Sequence, residues 1–244
     1  MSLSDKAIEA IRELIRSGRL APGSKLPSEP QLAARLGLSR NLTREAVKAL
    51  VLARVLEIRR GDGTYVTTLA PAVLFEGLAS AVELLQPDTL FELIEVRRLF
   101  EPVAAALAAT RIDDGQLAEV TAHLEAMAAA RDDVETLNKH DVAFHRAVTA
   151  ATGNETLASL LDGISGRTVR ARIWRGMVDE NAAGTTLAEH AAIHAALLAR
   201  DPALAHATAL VHVNTTDKWM RRHLADRSAA EAAGAAHGMP ESPA

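Results

Sequence analysis

Asp141 and His145 stand four residues apart in Asp141-Val142-Ala143-Phe144-His145, and on a helix that spacing places a carboxylate and an imidazole one turn apart on one face. Two later places add similar donors: Glu189-His190 at the opening of a helix, and His212 in the last one. A carboxylate with three imidazoles is a nitrogen and oxygen ligand set for a divalent transition metal ion, zinc first, with nickel or manganese as alternatives. Taken alone, an i, i+4 Asp/His pair reads first as a hydrogen bond on a helix surface, so both readings stand. An ion with an open position could also activate water, as in a metal-dependent hydrolase. Against that, no separate general base is convincingly placed, although Glu189 or His194 could be argued.

A second chemistry lies near the N-terminus. Arg40 and Arg44 are also spaced i, i+4, and arginine pairs bidentately with O6 and N7 of guanine. Asn41 beside them has the donor and acceptor that match adenine. The elements around these residues position them. Ser28 with Gln31 marks a helix start, Leu32, Ala33 and Leu36 form its apolar stripe, and Gly37 supplies a sharp exit. Ser39 caps a second helix with apolar positions Leu42, Ala46, Val47 and Leu50. An ordinary helical hairpin would look the same at the turn, but two short helices joined this way also make a helix-turn-helix, whose second helix enters the major groove of DNA. Val55–Arg60 and Thr64–Thr67 then flank Gly61-Asp62-Gly63 and read as a hairpin, the wing of a winged-helix domain, with Arg59 and Arg60 at its tip.

From the amphipathic first helix through Gly18-Arg19-Leu20-Ala21-Pro22-Gly23 and Leu26-Pro27-Ser28-Glu29 to Gly61-Asp62-Gly63-Thr64-Tyr65-Val66, residues 4–67 resemble the GntR family of bacterial transcriptional regulators. The resemblance implies that Arg40 and Arg44 contact double-stranded operator DNA. Arg35, Arg60 and Gly61 are helpers, and Ser39 can donate to phosphate as well as cap. Many members read Ser-Arg-Thr-Pro-Val-Arg where this chain has Ser39-Arg40-Asn41-Leu42-Thr43-Arg44, so the operator is expected to differ from a family consensus. Pro30 occupies a position where some members carry a basic DNA-contacting residue. Charge agrees with a nucleic-acid partner: residues 1–68 hold 12 of the 27 Lys+Arg and 7 of the 31 Asp+Glu, so +5 sits in this segment and −9 in the remainder of a chain of net −4.

Residues 71–225 carry almost no strand signal, and their helical periods predict an all-α bundle of six or seven helices. Breaks fall at Pro87, Asp113-Asp114-Gly115, Gly153-Asn154, Gly176 to Gly184, and Asp201-Pro202. The expected organisation is a mainly α chain: residues 1–70 a winged helix-turn-helix domain, 71–225 an effector-binding and dimerisation domain, and 226–244 a disordered Ala-rich tail, with Pro71 marking the linker. The chain has no cysteine, no signal peptide pattern and no membrane-length apolar run, which points to a cytoplasmic protein with no membrane partner.

Asp-x-x-x-His, the Gly153-Asn154 break, Glu189-His190 and a histidine in the closing helix resemble the effector domain, known as FCD, of the FadR-type branch of that family. The resemblance implies that Asp141, His145, His190 and His212 ligate a metal ion, and it disfavours a fatty acyl-CoA effector. It also matches Arg97 to an arginine that pairs with an effector carboxylate, beside the plainer reading of an i, i+4 salt bridge with Glu101; Arg167, Arg170 and Arg172 are unranked pocket candidates. His194 reads as a helix-surface residue before a partner of the ligands. The expectation is a metabolite-responsive regulator, not an enzyme: a homodimer, most often a repressor in this family, released from DNA by a small organic acid at the metal site. A regulator sensing the metal itself is the further alternative.

Overall fold

The computed structural model describes residues 2–83 and 89–237. The chain divides into two compact units, Met1–Val82 and Glu83–Ala244, each with its own apolar core. The first contains α1 (Leu3–Arg16), α2 (Glu29–Leu36), α3 (Arg40–Leu52), β1 (Leu56–Arg59), β2 (Gly63–Val66) and α4 (Pro71–Glu83). Ala7 and Ile11 of α1, Leu32 of α2, Ala46, Val47 and Leu50 of α3, and Leu56 and Val66 of the strands close its core.

Local signals build the helix-turn-helix. The Gln31 side-chain oxygen accepts from the Ser28 backbone N–H at 3.1 Å and fixes the start of α2. Gly37 turns the chain at φ +66°, and the Leu38 N–H donates to the Ala33 carbonyl at 3.0 Å. Ser39 Oγ then accepts from the Leu42 N–H at 3.3 Å and opens α3. A proline at 42 would lack that donor, so the departure from the family's proline gives α3 a capping bond. β1 and β2 pair antiparallel, Leu56 opposite Val66 and Arg59 opposite Gly63. Asp62 holds the intervening turn, accepting from Lys25 Nζ at 2.7 Å and from the Tyr65 hydroxyl.

The second unit is a bundle of α5 (Thr89–Arg111), α6 (Asp114–Ala129), α7 (Val134–Ala150), α8 (Glu155–Val178), α9 (Ala182–Leu198) and α10 (Pro202–His237). Helix α5 packs on α10, α6 on α7, α7 on α8 and α9 on α10. Buried alanines recur at the contacts, among them Ala105, Ala108 and Ala109 on α5 and Ala205 and Ala209 on α10, and small side chains let helices approach closely. Asp113, Asp133 and Asn154 cap α6, α7 and α8, each accepting from the backbone N–H three residues on.

Four expectations change. Pro71 is the first residue of α4, whose Ala70 carbonyl accepts from the Leu74 N–H at 3.1 Å, so the helix starts where a linker and domain boundary were expected. The compact units divide after Val82 instead. Gly176 lies inside α8, where a Cβ would stand 2.8 Å from Val134 Cγ1; its small size serves close packing, and α9 begins at Ala182. Helix α10 runs to His237, because the alanines that suggested a disordered tail are also the strongest helix formers. Pro87 and residues 238–244 lie outside the described residues.

Gly37 has open space where a Cβ would go, so substitution there carries only conformational strain. Gly37→Ala should lower the stability of the first unit by about 1–2 kcal/mol, read by urea denaturation with circular dichroism, without altering the metal content of the second.

Candidate metal centre and nucleic-acid interface

Helix α7 carries Asp141 and His145, α9 carries His190 and α10 carries His212. One ligand atom from each lies within 4.8 Å of all the others. Asp141, His190 and His212 are almost wholly buried, and only His145 is partly open. Asp141 Oδ1 lies 3.0 Å from His190 Nε2 and 3.8 Å from His145 Nε2. None of these contacts is aligned as a hydrogen bond: both Asp141 oxygens and the Nε2 atoms of His145, His190 and His212 are buried without a hydrogen-bond partner. Five such orphans around one point are a costly arrangement for a folded chain unless a cation receives their lone pairs.

The outer faces of the imidazoles fix their tautomers. His190 Nδ1 donates to the Thr186 carbonyl at 2.7 Å, and His212 Nδ1 donates to Glu189 Oε2 at 2.9 Å. Each bond holds the proton on Nδ1 and leaves the Nε2 lone pair facing inward, the tautomer a metal ligand requires. Glu189, arguable from sequence as a general base, therefore orients His212. His145 Nδ1 faces Glu101 Oε2 at 3.9 Å. His194 reaches Thr121 Oγ1 at 2.8 Å, a contact between α9 and α6. Phe144 is fully buried and sets its ring edge against His190, with centroids 4.6 Å apart.

Electrostatics keep the donors in ligating form. Burial pushes the Asp141 carboxyl up, but the Arg172 guanidinium and the neighbouring imidazoles outweigh it and hold it well below its ordinary value. Burial pushes His145 well below the usual imidazole value, and it lowers His212 despite the opposing pull of Glu189. Asp141 is thus anionic and these imidazoles neutral near pH 7, the protonation states that bind a cation. The donor set fits a divalent transition ion.

Two cavities meet at Arg172. The larger, of about 220 Å³, reaches Asp141, His212 and Arg172, with Arg175 further along. The smaller, of about 20 Å³, is lined by Arg97, Glu101 and His145 on the other side. Arg172 NH1 lies 2.9 Å from Asp141 Oδ2, yet its Nε and NH1 keep no hydrogen bond. Arg97 forms the expected bridge to Glu101 through Nε and NH2 while its buried NH1 stays unpaired, so salt bridge and available donor coexist. Burial raises the Glu101 carboxyl, and the Arg97 charge more than offsets this, holding it down at about 2. Of the unranked arginines, Arg172 joins the centre; Arg170 lines neither cavity, and the Arg167 side chain lies outside the described residues. Arg172 is among the sequence candidates, whereas Arg175 and the Thr186 carbonyl, which any residue four before a helical histidine could supply, have no signal of their own.

In the first unit, Thr43, Ala46, Val47 and Leu50 bury one face of α3 and leave Ser39, Arg40, Asn41 and Arg44 exposed on the other side. Arg44 Nε lies 3.3 Å from Glu29 Oε2, a bond that steadies it from α2. Arg35 closes α2, exposed, and Arg60 and Gly61 sit exposed at the wing turn, Gly61 at φ +75°. Arg59 is engaged instead: it pairs with Glu57 and stacks on the Tyr65 ring, 4.0 Å from the centroid.

An exposed winged helix-turn-helix joined to a helical unit with a buried ligand cluster defines a DNA-binding regulator with an effector domain. Residues 3–66 match the bacterial regulatory proteins of the gntR family, and residues 92–215 match the FCD domain. The chain is 31% identical to the galactonate operon transcriptional repressor of Escherichia coli (strain K12), covering 91% of this chain and 98% of that protein. It is 32% identical to the HTH-type transcriptional regulator LutR of Bacillus subtilis (strain 168), covering 84% and 94%. The solved structure of Streptococcus agalactiae GntR superposes with a TM-score of 0.68 at 27% identity, covering 88% of this chain and 99% of that one. The chain belongs to the GntR family of bacterial transcriptional regulators and carries an FCD domain; its domains and relatives are those of regulators, not enzymes.

Two outcomes test the centre. Glu189→Gln, which removes the carboxylate behind His212, should weaken zinc binding roughly 10–100-fold in a chelator competition. Because folding lowers the pKa of His145 and His212, the neutral imidazoles persist as pH falls through their ordinary value, so zinc should be retained on dialysis at about pH 6. Elemental analysis reads this directly; loss with a midpoint near 6.5 would contradict it.

Proposed function

We propose that this protein is a homodimeric, cytoplasmic repressor. It binds operator DNA through its first unit and lets go when a small carboxylate binds at a divalent ion, zinc foremost, held by Asp141, His145, His190 and His212. The observation that carries this reading is the set of buried, unpartnered ligand atoms opening on a cavity large enough for a small acid. When bound, the ion supplies a Lewis-acidic anchor for a carboxylate oxygen. Arg172 Nε and NH1 are the donors to that carboxylate from the larger cavity, and Arg97 NH1 contributes from the opposite side.

Arg40 and Arg44 read base edges, Asn41 adds a contact suited to adenine, and Arg35, Ser39, Arg60 and Gly61 engage the phosphate backbone. Exposed Leu99 and Val103, one turn apart on α5, support pairing of two copies, which would present two heads to a pseudo-palindromic operator. Among the described residues no helix is long and apolar enough to cross a membrane, in keeping with a protein that works on DNA. The acid acts as inducer only if it binds the free protein more tightly than the DNA-bound one, and DNA must weaken the acid by the same factor.

In gel-shift titrations at fixed salt, Arg44→Ala should weaken operator binding roughly tenfold to hundredfold with the fold unchanged; wild-type affinity would overturn its role. Stripping the ion should abolish the response to acid and leave operator affinity within a few-fold of the loaded protein. Release of the operator by chelation alone would instead make the ion the signal.

A further inference from the structure

We propose that the effector is a monocarboxylate with a polyhydroxylated chain, and that the larger cavity selects it over dicarboxylates and three-carbon acids. This rests on the carboxylate-and-ion reading above and adds the chemical class. The first observation is charge. Arg131, Arg172 and Arg175 line the cavity. Against them stand four carboxylates, Asp132, Asp141, Asp179 and Glu180. A divalent ion on Asp141 shifts that balance from one net negative to one net positive, which a single carboxylate neutralises. Placement sharpens the point. Asp141 and Arg172 form the buried end, whereas Asp132 and Glu180 are exposed. Arg175 meets Asp179 through Nε alone, at 3.5 Å, so its terminal nitrogens still face the cavity as donors. A second carboxylate on the same ligand would therefore lie among three acidic groups, Asp132, Asp179 and Glu180, against two arginines, Arg131 and Arg175.

The second observation is an unused set of polar groups suited to hydroxyls. Thr186 and Thr216 line the cavity, and among the described residues neither hydroxyl makes a hydrogen bond. The Asn138 amide donates to the Val134 carbonyl at 2.9 Å, which leaves its oxygen as an acceptor on the cavity wall. Each of these, like the rim carboxylates, accepts from an alcohol. The third observation is size: a volume of about 220 Å³ exceeds the roughly 150 Å³ of a cavity that takes benzene, a molecule of six heavy atoms. A three-carbon hydroxy acid, with about six covalently packed heavy atoms, leaves much of that space unfilled.

The test is calorimetric titration of the zinc-loaded full chain with gluconate, mannonate and galactonate, their matching aldarates and alditols, and lactate. At least one aldonate should bind roughly tenfold or more tightly than its aldarate and than lactate, and the alditols should not bind. Glu180→Lys, at an exposed rim position, should improve aldarate binding several-fold and leave lactate unchanged. An aldarate or lactate binding as tightly as every aldonate would overturn the proposal while leaving the carboxylate reading in place. Alditols binding as tightly as aldonates, or no acid binding at all, would overturn both.

Discussion

Asp141 is the constraint on which the second unit depends. Its carboxylate is 1% exposed, ionised, and without a hydrogen bond to either oxygen. A buried anion is tolerated only when charge of the opposite sign is held against it with good geometry, and the desolvation involved runs to several kcal/mol. Arg172 from α8 meets one oxygen at 2.9 Å, and His190 from α9 approaches the other at 3.0 Å. His212 from α10 and His145 from α7 complete the ring. Four helices are thereby held in a register set by one carboxylate.

A second layer holds the first. The Thr186 carbonyl and Glu189 occupy the Nδ1 atoms of His190 and His212, while Glu101, tied to Arg97, faces His145. Each of these contacts takes place in a medium of low polarity, where orientation is enforced strongly and an unmatched group is penalised strongly. The first unit uses charge in the opposite way. Its arginines at 35, 40, 44 and 60 are exposed, where water and salt screen them. One protein thus carries arginine both as a buried partner and as a solvated surface charge, and burial distinguishes the two settings.

Most of the helix-turn-helix was legible because its determinants are local. Ser28 with Gln31, Gly37 and Ser39 each act within four residues, so capping and turn chemistry identify them without knowledge of the partners. The same rules misjudged Gly176, whose small size answers to Val134 on α7, distant in sequence. They misjudged Pro71, which opens a helix as readily as it marks a linker. Alanine misled for a related reason: residues 226–237 lack a large apolar side chain, which suggested disorder, yet alanine's backbone preference favours the helix that forms.

The sequence by itself determined the types and order of most elements, the basic head and, through its resemblance to a known family, the four candidate donors. Periodicity, capping and charge are properties of neighbours along the chain, and the i, i+4 spacing of Asp141 and His145 is one of them. Only the tertiary structure decided that α9 and α10 deliver His190 and His212 to the same point, that Arg172 rather than Arg170 reaches it, and that Glu189 stands behind His212. It alone separated the cavities, placing Arg97 in the smaller and Arg175 in the larger. The physical reason is that helix packing sets which faces meet. Arg170 stands only two residues from Arg172 on the same helix, so the two leave from different sides, and nothing in their own neighbours reveals which one will face the centre.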